Sequence, residues 1–190
     1  MLEIQTVNVR KFPLNNETIM QLNNNDHQWP KLLLDEMEGD GFQNQEKENR
    51  ESYLNLSITI IKKENSELLE HIFLTGNINA RYRTLCVRCV EEMYEQIDVD
   101  FKVCFIPSSL EKSELYADQL TLYTDHMGEV DLYFYSDNIV DIKEFIHELI
   151  FLNLNQLPLH TEECKGLCQV CGENLNEKIC VHQQESCCTL

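Results

Sequence analysis

Leu74-Thr75-Gly76-Asn77-Ile78-Asn79-Ala80-Arg81-Tyr82-Arg83-Thr84 runs directly into Leu85-Cys86-Val87-Arg88-Cys89. Leu74, Gly76, Ile78, Ala80, Tyr82 and Thr84 share one face of an extended chain, and Asn77, Asn79, Arg81 and Arg83 take the other. That period of two predicts a strand of about a dozen residues. After Glu91 and Glu92 the alternation resumes, with Met93, Ile97, Val99, Phe101, Val103 and Phe105 against Gln96, Asp98, Asp100 and Lys102. The two strands predict a long β-hairpin with a cysteine knuckle at its tip.

Upstream, Tyr53–Ile61 also alternates and predicts a strand, with Lys63–Ser66 as its turn. Leu2–Val9 reads as a first strand, Leu14–Trp29 as irregular, and Pro30 as the first turn of a short helix through Lys31–Met37. The polar run over 39–52 reads as a mobile loop. Downstream, Pro107-Ser108-Ser109 ends the hairpin, 110–127 reads as a loop, and Val130–Tyr135 as a short strand. Ser136, Asp137 and Asn138 offer caps to a helix carrying Ile142, Phe145, Ile146, Leu149 and Ile150 at i, i+3, i+4, i+7 and i+8, ending before Pro158. The expected fold is α+β: an antiparallel β-sheet or partly closed barrel with a long hairpin, one packed amphipathic helix and a C-terminal zinc-knuckle tail. Residues 1–160 are expected to form the main domain and 161–190 the cysteine-rich tail.

The chain has 190 residues, 43% of them hydrophobic, which suits one ordinary core with a small appendage. Its first dozen residues alternate in polarity and lack a signal-peptide core, and no stretch reaches the roughly 18 apolar residues of a spanning helix. These features predict a cytoplasmic protein with no membrane partner. A reducing compartment turns nine cysteines, an odd number, away from disulfides and toward metal ligation. A net charge of −18 opposes broad electrostatic binding to nucleic acid, so any RNA contact must be local. Arg81, Arg83 and Arg88 gather near the hairpin tip as candidates for that contact, or as partners of surface acids.

The tail carries Cys164-Lys165-Gly166-Leu167-Cys168-Gln169-Val170-Cys171-Gly172-Glu173-Asn174-Leu175-Asn176, then Cys180-Val181-His182. Two residues between thiolates let both sulfurs reach one ion, Gly172 can take the positive φ of the turn, and Asn174 and Asn176 favour a short return loop. Cys168, Cys171, Cys180 and His182 thus make a complete local set of three sulfurs and an imidazole. Cys86 and Cys89 need two further ligands, and His160 with Cys164 is the favoured pair. The alternative joins Cys86 and Cys89 to Cys168 and Cys171 in a single site, so the expectation is two zinc ions or one. Cys104 reads as a packed small residue, and Cys187 and Cys188 as terminal residues able to join a site. His27, His71, His126 and His147 stand apart from other ligand types. No phosphate loop, dinucleotide fingerprint or helix-borne redox CxxC is present, so the expectation is a non-enzyme without a small-molecule substrate. Nine thiols also admit a thiol-based redox or metal sensor, and the acidic surface a binding module for a basic protein.

Three segments together resemble the YceD family of large ribosomal RNA subunit accumulation proteins. They are Cys86-Val-Arg-Cys89 after an alternating strand, Asp131-Leu132 ahead of a helix leading to Leu157-Pro158, and Cys164-Lys-Gly-Leu-Cys168 joined to Cys171-Gly-Glu-Asn-Leu-Asn176. The likeness spans about residues 70 to 182 and departs at His160 and His182, where the family pattern commonly has cysteine; imidazole also binds zinc. It implies a non-enzymatic role in accumulation of large-subunit (23S) ribosomal RNA and ribosome biogenesis, with the pre-large subunit, its RNA or a basic ribosomal protein as partner.

Overall fold

The computed structural model describes residues 5–39, 42, 51–116, 119–125 and 127–183. In chain order the elements are β1 (Thr6–Asn8), β2 (Glu17–Asn23), α1 (Gln28–Glu38), β3 (Tyr53–Asn65), β4 (Leu69–Leu85), β5 (Glu92–Pro107), β6 (Thr121–Thr124), β7 (Gly128–Tyr135), β8 (Ile139–Asp141) and α2 (Ile142–Asn153). Six strands form one sheet in the order β2-β3-β4-β5-β7-β6, and β1 pairs with β8 in a separate ribbon.

The hairpin of β4 and β5 is the spine of this sheet. Ile78 lies opposite Val99, and Gly76 opposite Phe101 on one side and Ile58 on the other. A side chain at Gly76 would put its Cβ 2.0 Å from the Ser57 carbonyl oxygen and 2.7 Å from Phe101 Cζ, so the Phe101 ring occupies the space glycine leaves.

The expected apolar face is the main core. Leu54, Leu56, Ile58 and Ile60 of β3, Leu74, Ile78 and Ala80 of β4, and Phe101, Val103 and Phe105 of β5 are buried there beneath both helices. Helix α2 contributes Ile142, Phe145, Ile146 and Ile150, and Phe145 meets Phe101, Phe105 and Tyr133 edge-on at 5.3–5.6 Å between ring centroids. Burying each of these aliphatic side chains stabilises by about 1.5–3 kcal/mol.

The architecture differs from expectation in several places. The sheet is mixed and open rather than antiparallel or barrel-like, because β7 runs parallel to β5 and β6 then forms an edge. Two helices pack on it: besides the amphipathic one, the short helix expected over 30–37 is longer and also lies on the core. Gln28–Glu38 buries Trp29, Pro30, Leu33, Leu34 and Met37 along one stripe, and Gly39, at φ 73°, ends the helix by donating to the Asp35 carbonyl. The segment read as irregular holds β2, and β3 runs on through the expected turn to Asn65. The expected loop over 110–127 contains β6. Asp137 and Asn138 are not helix caps: both take left-handed φ (54° and 58°) in the two-residue turn between β7 and β8, where their short polar side chains tolerate that conformation. Asp141 caps α2 instead, accepting from the Glu144 N–H at 2.9 Å.

The second sheet face is also partly closed. Phe73, Cys104, Ile106, Val130 and Leu132 form a smaller buried cluster with Leu68 and Tyr116. Cys104 packs there as a small apolar residue, and burial pushes its thiol up to about 12. Most of the polar run over 39–52 lies outside the described residues; Phe42 and Ser52, at its ends, are buried.

Candidate metal centres

The hairpin tip and the tail contain the same turn twice. In the first, Cys86 donates its N–H to the Glu91 carbonyl (2.9 Å) and accepts from Val90 N–H (2.9 Å). In the second, Cys168 donates to the Glu173 carbonyl (2.8 Å) and accepts from Gly172 N–H (2.8 Å). Each closure turns the backbone tightly enough to set both sulfurs of a CxxC on one side. The Val87 N–H donates to the Pro158 carbonyl at 2.9 Å, which brings the chain leaving α2 against the first knuckle.

Eight sulfur and imidazole groups gather in two sets of four. Cys86, Cys89, His160 and Cys164 form one, and Cys168, Cys171, Cys180 and His182 the other; within each, the ligand atoms lie within 4.8 Å of one another. Cys168 and Cys171 thus stand with Cys180 and His182, not with Cys86 and Cys89. In the first set Cys86 Sγ is 3.7 Å from Cys164 Sγ, and Cys89 Sγ 3.2 Å from His160 Nδ1. In the second, Cys180 Sγ is 3.3 Å from Cys171 Sγ, 3.5 Å from Cys168 Sγ and 3.2 Å from His182 Nδ1.

These separations suit a tetrahedral ion. Zinc–sulfur bonds of about 2.3 Å at tetrahedral angles place sulfurs about 3.8 Å apart, and the donor pairs here range from 3.2 to 3.9 Å, with every donor of a set within 4.8 Å of the others. Three thiolates and an imidazole are the donor chemistry that zinc takes, and four protein donors fill its coordination without leaving a position for substrate. Such a site is structural rather than catalytic. Cys86, Cys89 and Cys164 are buried with Met93, Leu159 and Leu167 around them, whereas Cys171 in the second set is exposed.

The thiols within each set are held unequally. Burial pushes Cys86 up, but hydrogen bonds from the His160 backbone and side chain and from the Cys89 and Arg88 backbone outweigh it and bring the thiol down to about 5. Cys89 is pushed up to about 11 by burial and by the neighbouring Cys86 and Cys164 sulfurs, against the pull of the Glu91 backbone. In the second set the Cys171 and Val170 backbone N–H groups draw Cys168 down to about 6. At Cys180 the His182 backbone pulls down, but the Cys171 sulfur and burial prevail and raise the thiol to about 11. In each set one thiol is drawn down and a neighbouring one pushed up, a conflict that a divalent ion would remove.

Two contributors were not foreseen. His160 turns Nδ1 to the sulfurs and Nε2 toward Glu91 Oε2, 3.9 Å away, the side on which metal-bound histidines commonly meet a carboxylate. Asn176, read as a turn former, places its amide nitrogen 3.5 Å from Cys164 Sγ. The signal for Glu91 was its place two residues past the CxxC, where Glu173 stands in the second knuckle; no sequence signal marked Asn176.

The three arginines lie along and at the end of the hairpin. Arg81 pairs with Glu51 at 2.9 Å and lies over the Tyr94 ring. Arg83 is buried: its guanidinium sits 3.5 Å from Glu38 Oε2, donates to the Phe42 carbonyl and stacks on the Phe42 ring. Glu38 also accepts from the Arg83 N–H and the Ser52 hydroxyl. Arg88 is exposed and donates to the Cys164 carbonyl at 2.9 Å. Among the other histidines, His27 accepts from the Asn23 N–H, His71 is buried beside Phe73, and His147 pairs with Glu36. His126, Cys187 and Cys188 lie outside the described residues.

The chain is a mixed-sheet α+β protein with two Cys3His groups, one at the tip of a long hairpin and one in the tail beside it, each able to hold a metal ion. The family model described as Large ribosomal RNA subunit accumulation protein YceD matches residues 74–187, a span that begins in β4 and includes both donor sets, and the chain belongs to that family. Membership implies a role in accumulation of the large ribosomal RNA subunit, and the family name denotes no enzymatic reaction. No curated protein and no solved structure matches the chain. No helix among the described residues is long and apolar enough to cross a membrane.

Proposed function

We propose that this chain is a non-enzymatic, zinc-stabilised factor for 23S ribosomal RNA accumulation, acting in the cytoplasm on the precursor of the large ribosomal subunit. The observation that carries this reading is that two closed four-donor sets lie within the family-matched segment, the first joining the tail to the hairpin tip and the second closing the tail on itself. Each set holds one zinc ion, with Cys86, Cys89, His160 and Cys164 as ligands of the first and Cys168, Cys171, Cys180 and His182 of the second. Residues 161–190 act as a metal-folded tail on a main domain spanning 1–160. Direct RNA contact falls at the hairpin tip, on exposed Arg88, while Arg81 and Arg83 hold the tip's shape through Glu51 and Glu38. A thiol sensor finds less support, because five of the six ligand sulfurs are buried.

Three measurements test this. Elemental analysis of the purified protein should return about two zinc per chain. The protein should also co-sediment with precursor large-subunit particles, and a deletion strain should lose 23S ribosomal RNA. Normal RNA levels together with absence from the particles would overturn the assembly role.

A second reading is favoured by charge. The chain carries −18, and two of the three arginines near the tip are already neutralised by internal acids, so a basic ribosomal protein is the alternative partner. That complex would form without RNA and weaken steeply with salt.

A further inference from the structure

Both knuckles relieve thiolate charge with their own turns: backbone N–H groups of Arg88 and Cys89 reach Cys86, and those of Val170 and Cys171 reach Cys168. Cys164 belongs to the first donor set but to neither knuckle. Besides its fellow ligands, the Asn176 amide reaches its sulfur, at 3.5 Å, from the loop between Cys171 and Cys180 of the second set. The orientation of that amide follows from its neighbours. Asn176 Oδ1 accepts the Lys165 N–H at 2.8 Å, and Nδ2 donates both to Asn174 Oδ1 at 2.8 Å and to Cys164 Sγ. A flipped amide would set N–H against N–H at Lys165 and oxygen against oxygen at Asn174.

The backbone ties the same pieces together. Leu167 donates to the Arg88 carbonyl (3.1 Å), Leu175 to the Gly166 carbonyl (2.9 Å), and Arg88 Nη1 to the Cys164 carbonyl (2.9 Å). Gly166, at φ 76°, lies between Cys164 and Cys168, and an added Cβ would stand 3.1 Å from the Arg88 carbonyl oxygen. Three residues, Lys165, Gly166 and Leu167, therefore link one donor set to the other, and two of them are hydrogen-bonded to the loop that the second set closes.

We infer that Asn176 is a positioning residue for the first metal site, supplied by the folded loop of the second, so that filling the second site raises the affinity of the first. This rests on the zinc reading above. An amide N–H directed at a thiolate stabilises its charge and fixes its direction, and loss of such an outer partner typically weakens metal binding about 10- to 100-fold. The coupling runs both ways, since linkage is reciprocal.

The test is zinc competition with a chromophoric chelator on the full chain. Asn176→Ala should weaken the first site about 10-fold or more. In a Cys86→Ser background, which leaves only the second site, the same change should shift affinity by less than about twofold, a control against general loss of the loop. Cys171→Ser should weaken the first site about as much as Asn176→Ala, and the double variant should add nothing further. Asn176→Ala without effect on the first site, a loss at the second site in the Cys86→Ser background as large as that at the first, or additive losses in the double variant would overturn the inference while leaving two zinc ions in the wild type. A wild type that binds no zinc would instead overturn the metal reading itself.

Discussion

Val90 and Gly172 occupy the same position in two copies of one turn. Each follows the second cysteine of a CxxC, each has left-handed φ (61° and 74°), and each donates its N–H to the carbonyl of the first cysteine. Glycine adopts that conformation without cost, whereas a β-branched residue is strained there. The first knuckle therefore holds strain that the second does not, kept in place by the hairpin below and by the chain crossing from Pro158.

Replacing Val90 by Gly should stabilise the protein by about 1 kcal/mol, since the lost side chain is more than half exposed and the relieved strain is of order 1–2 kcal/mol. Gly172→Val should cost a similar amount. Denaturant unfolding of the metal-loaded protein checks both, and a destabilised Val90→Gly would refute the strain argument.

Gly76→Ala should be among the most damaging single changes in the sheet. The added methyl would meet the Ser57 carbonyl oxygen, part of a paired backbone that cannot retreat, and the ring of Phe101. A loss of about 3 kcal/mol is expected from overpacking of this kind, read as a lowered denaturation midpoint.

Glu38→Ala should cost about 3–5 kcal/mol, because it leaves buried Arg83 without its carboxylate. The double variant Glu38→Met with Arg83→Met should recover most of that loss. Equal losses in the single and double variants would show that packing, not the stranded charge, sets the cost.

His71 provides a pH test. Burial holds its imidazole below the ordinary value of 6.5, against the opposing effect of its hydrogen bond to the Leu69 carbonyl and with help from nearby Lys63. The folded value lies below the unfolded one, so the stabilisation is complete above pH 6.5 and is lost as pH falls toward the folded value. Unfolding midpoints measured down the acid side should fall more in the wild type than in His71→Gln; parallel curves would contradict this.

Exhaustive chelation should release the tail and leave the sheet. Zinc contributes on the order of 10 kcal/mol or more to a small module, while β3, β4 and β5 are held by the apolar core beneath α1 and α2. Limited proteolysis should then cut within 159–183, with far-ultraviolet dichroism largely retained. Unchanged proteolysis would exclude metal as the fastening.

The hairpin was legible because both strands alternate without a break and bury one face; Leu74 to Tyr82 and Ile97 to Phe105 follow that rule. Helix α2 was legible from its stripe. Helix α1 was harder, since Trp29 and Pro30 begin it within an Asn-rich stretch and His27, not a serine or aspartate, stands at its cap. The parallel pairing of β7 with β5 leaves no local mark, because a crossover is decided by packing on both faces and Val130-Asp131-Leu132 pairs equally well in either sense. The two CxxC turns announced themselves by spacing. The roles of Glu91 and Asn176 did not, since a carboxylate and an amide become outer partners only once folding brings distant sulfur and imidazole to them. Arg83 misled for a related reason: alternation placed it on the polar face, but α1 brings Glu38 over that part of the strand and buries both charges.

Cys86 and Cys164 stand 78 positions apart, and Cys89 and His160 71 apart. An ion held between them would act as a cross-link closing a long loop, and restricting the unfolded chain in that way is worth on the order of 4 kcal/mol. The order of synthesis adds a second effect. At about 5–20 residues per second, roughly 4 to 14 seconds separate the emergence of Cys89 from that of His160, and the hairpin can fold in that interval. Each newly made molecule thus passes through a period with two thiols at the end of a finished hairpin and no counterpart, open to oxidants until its own later residues arrive.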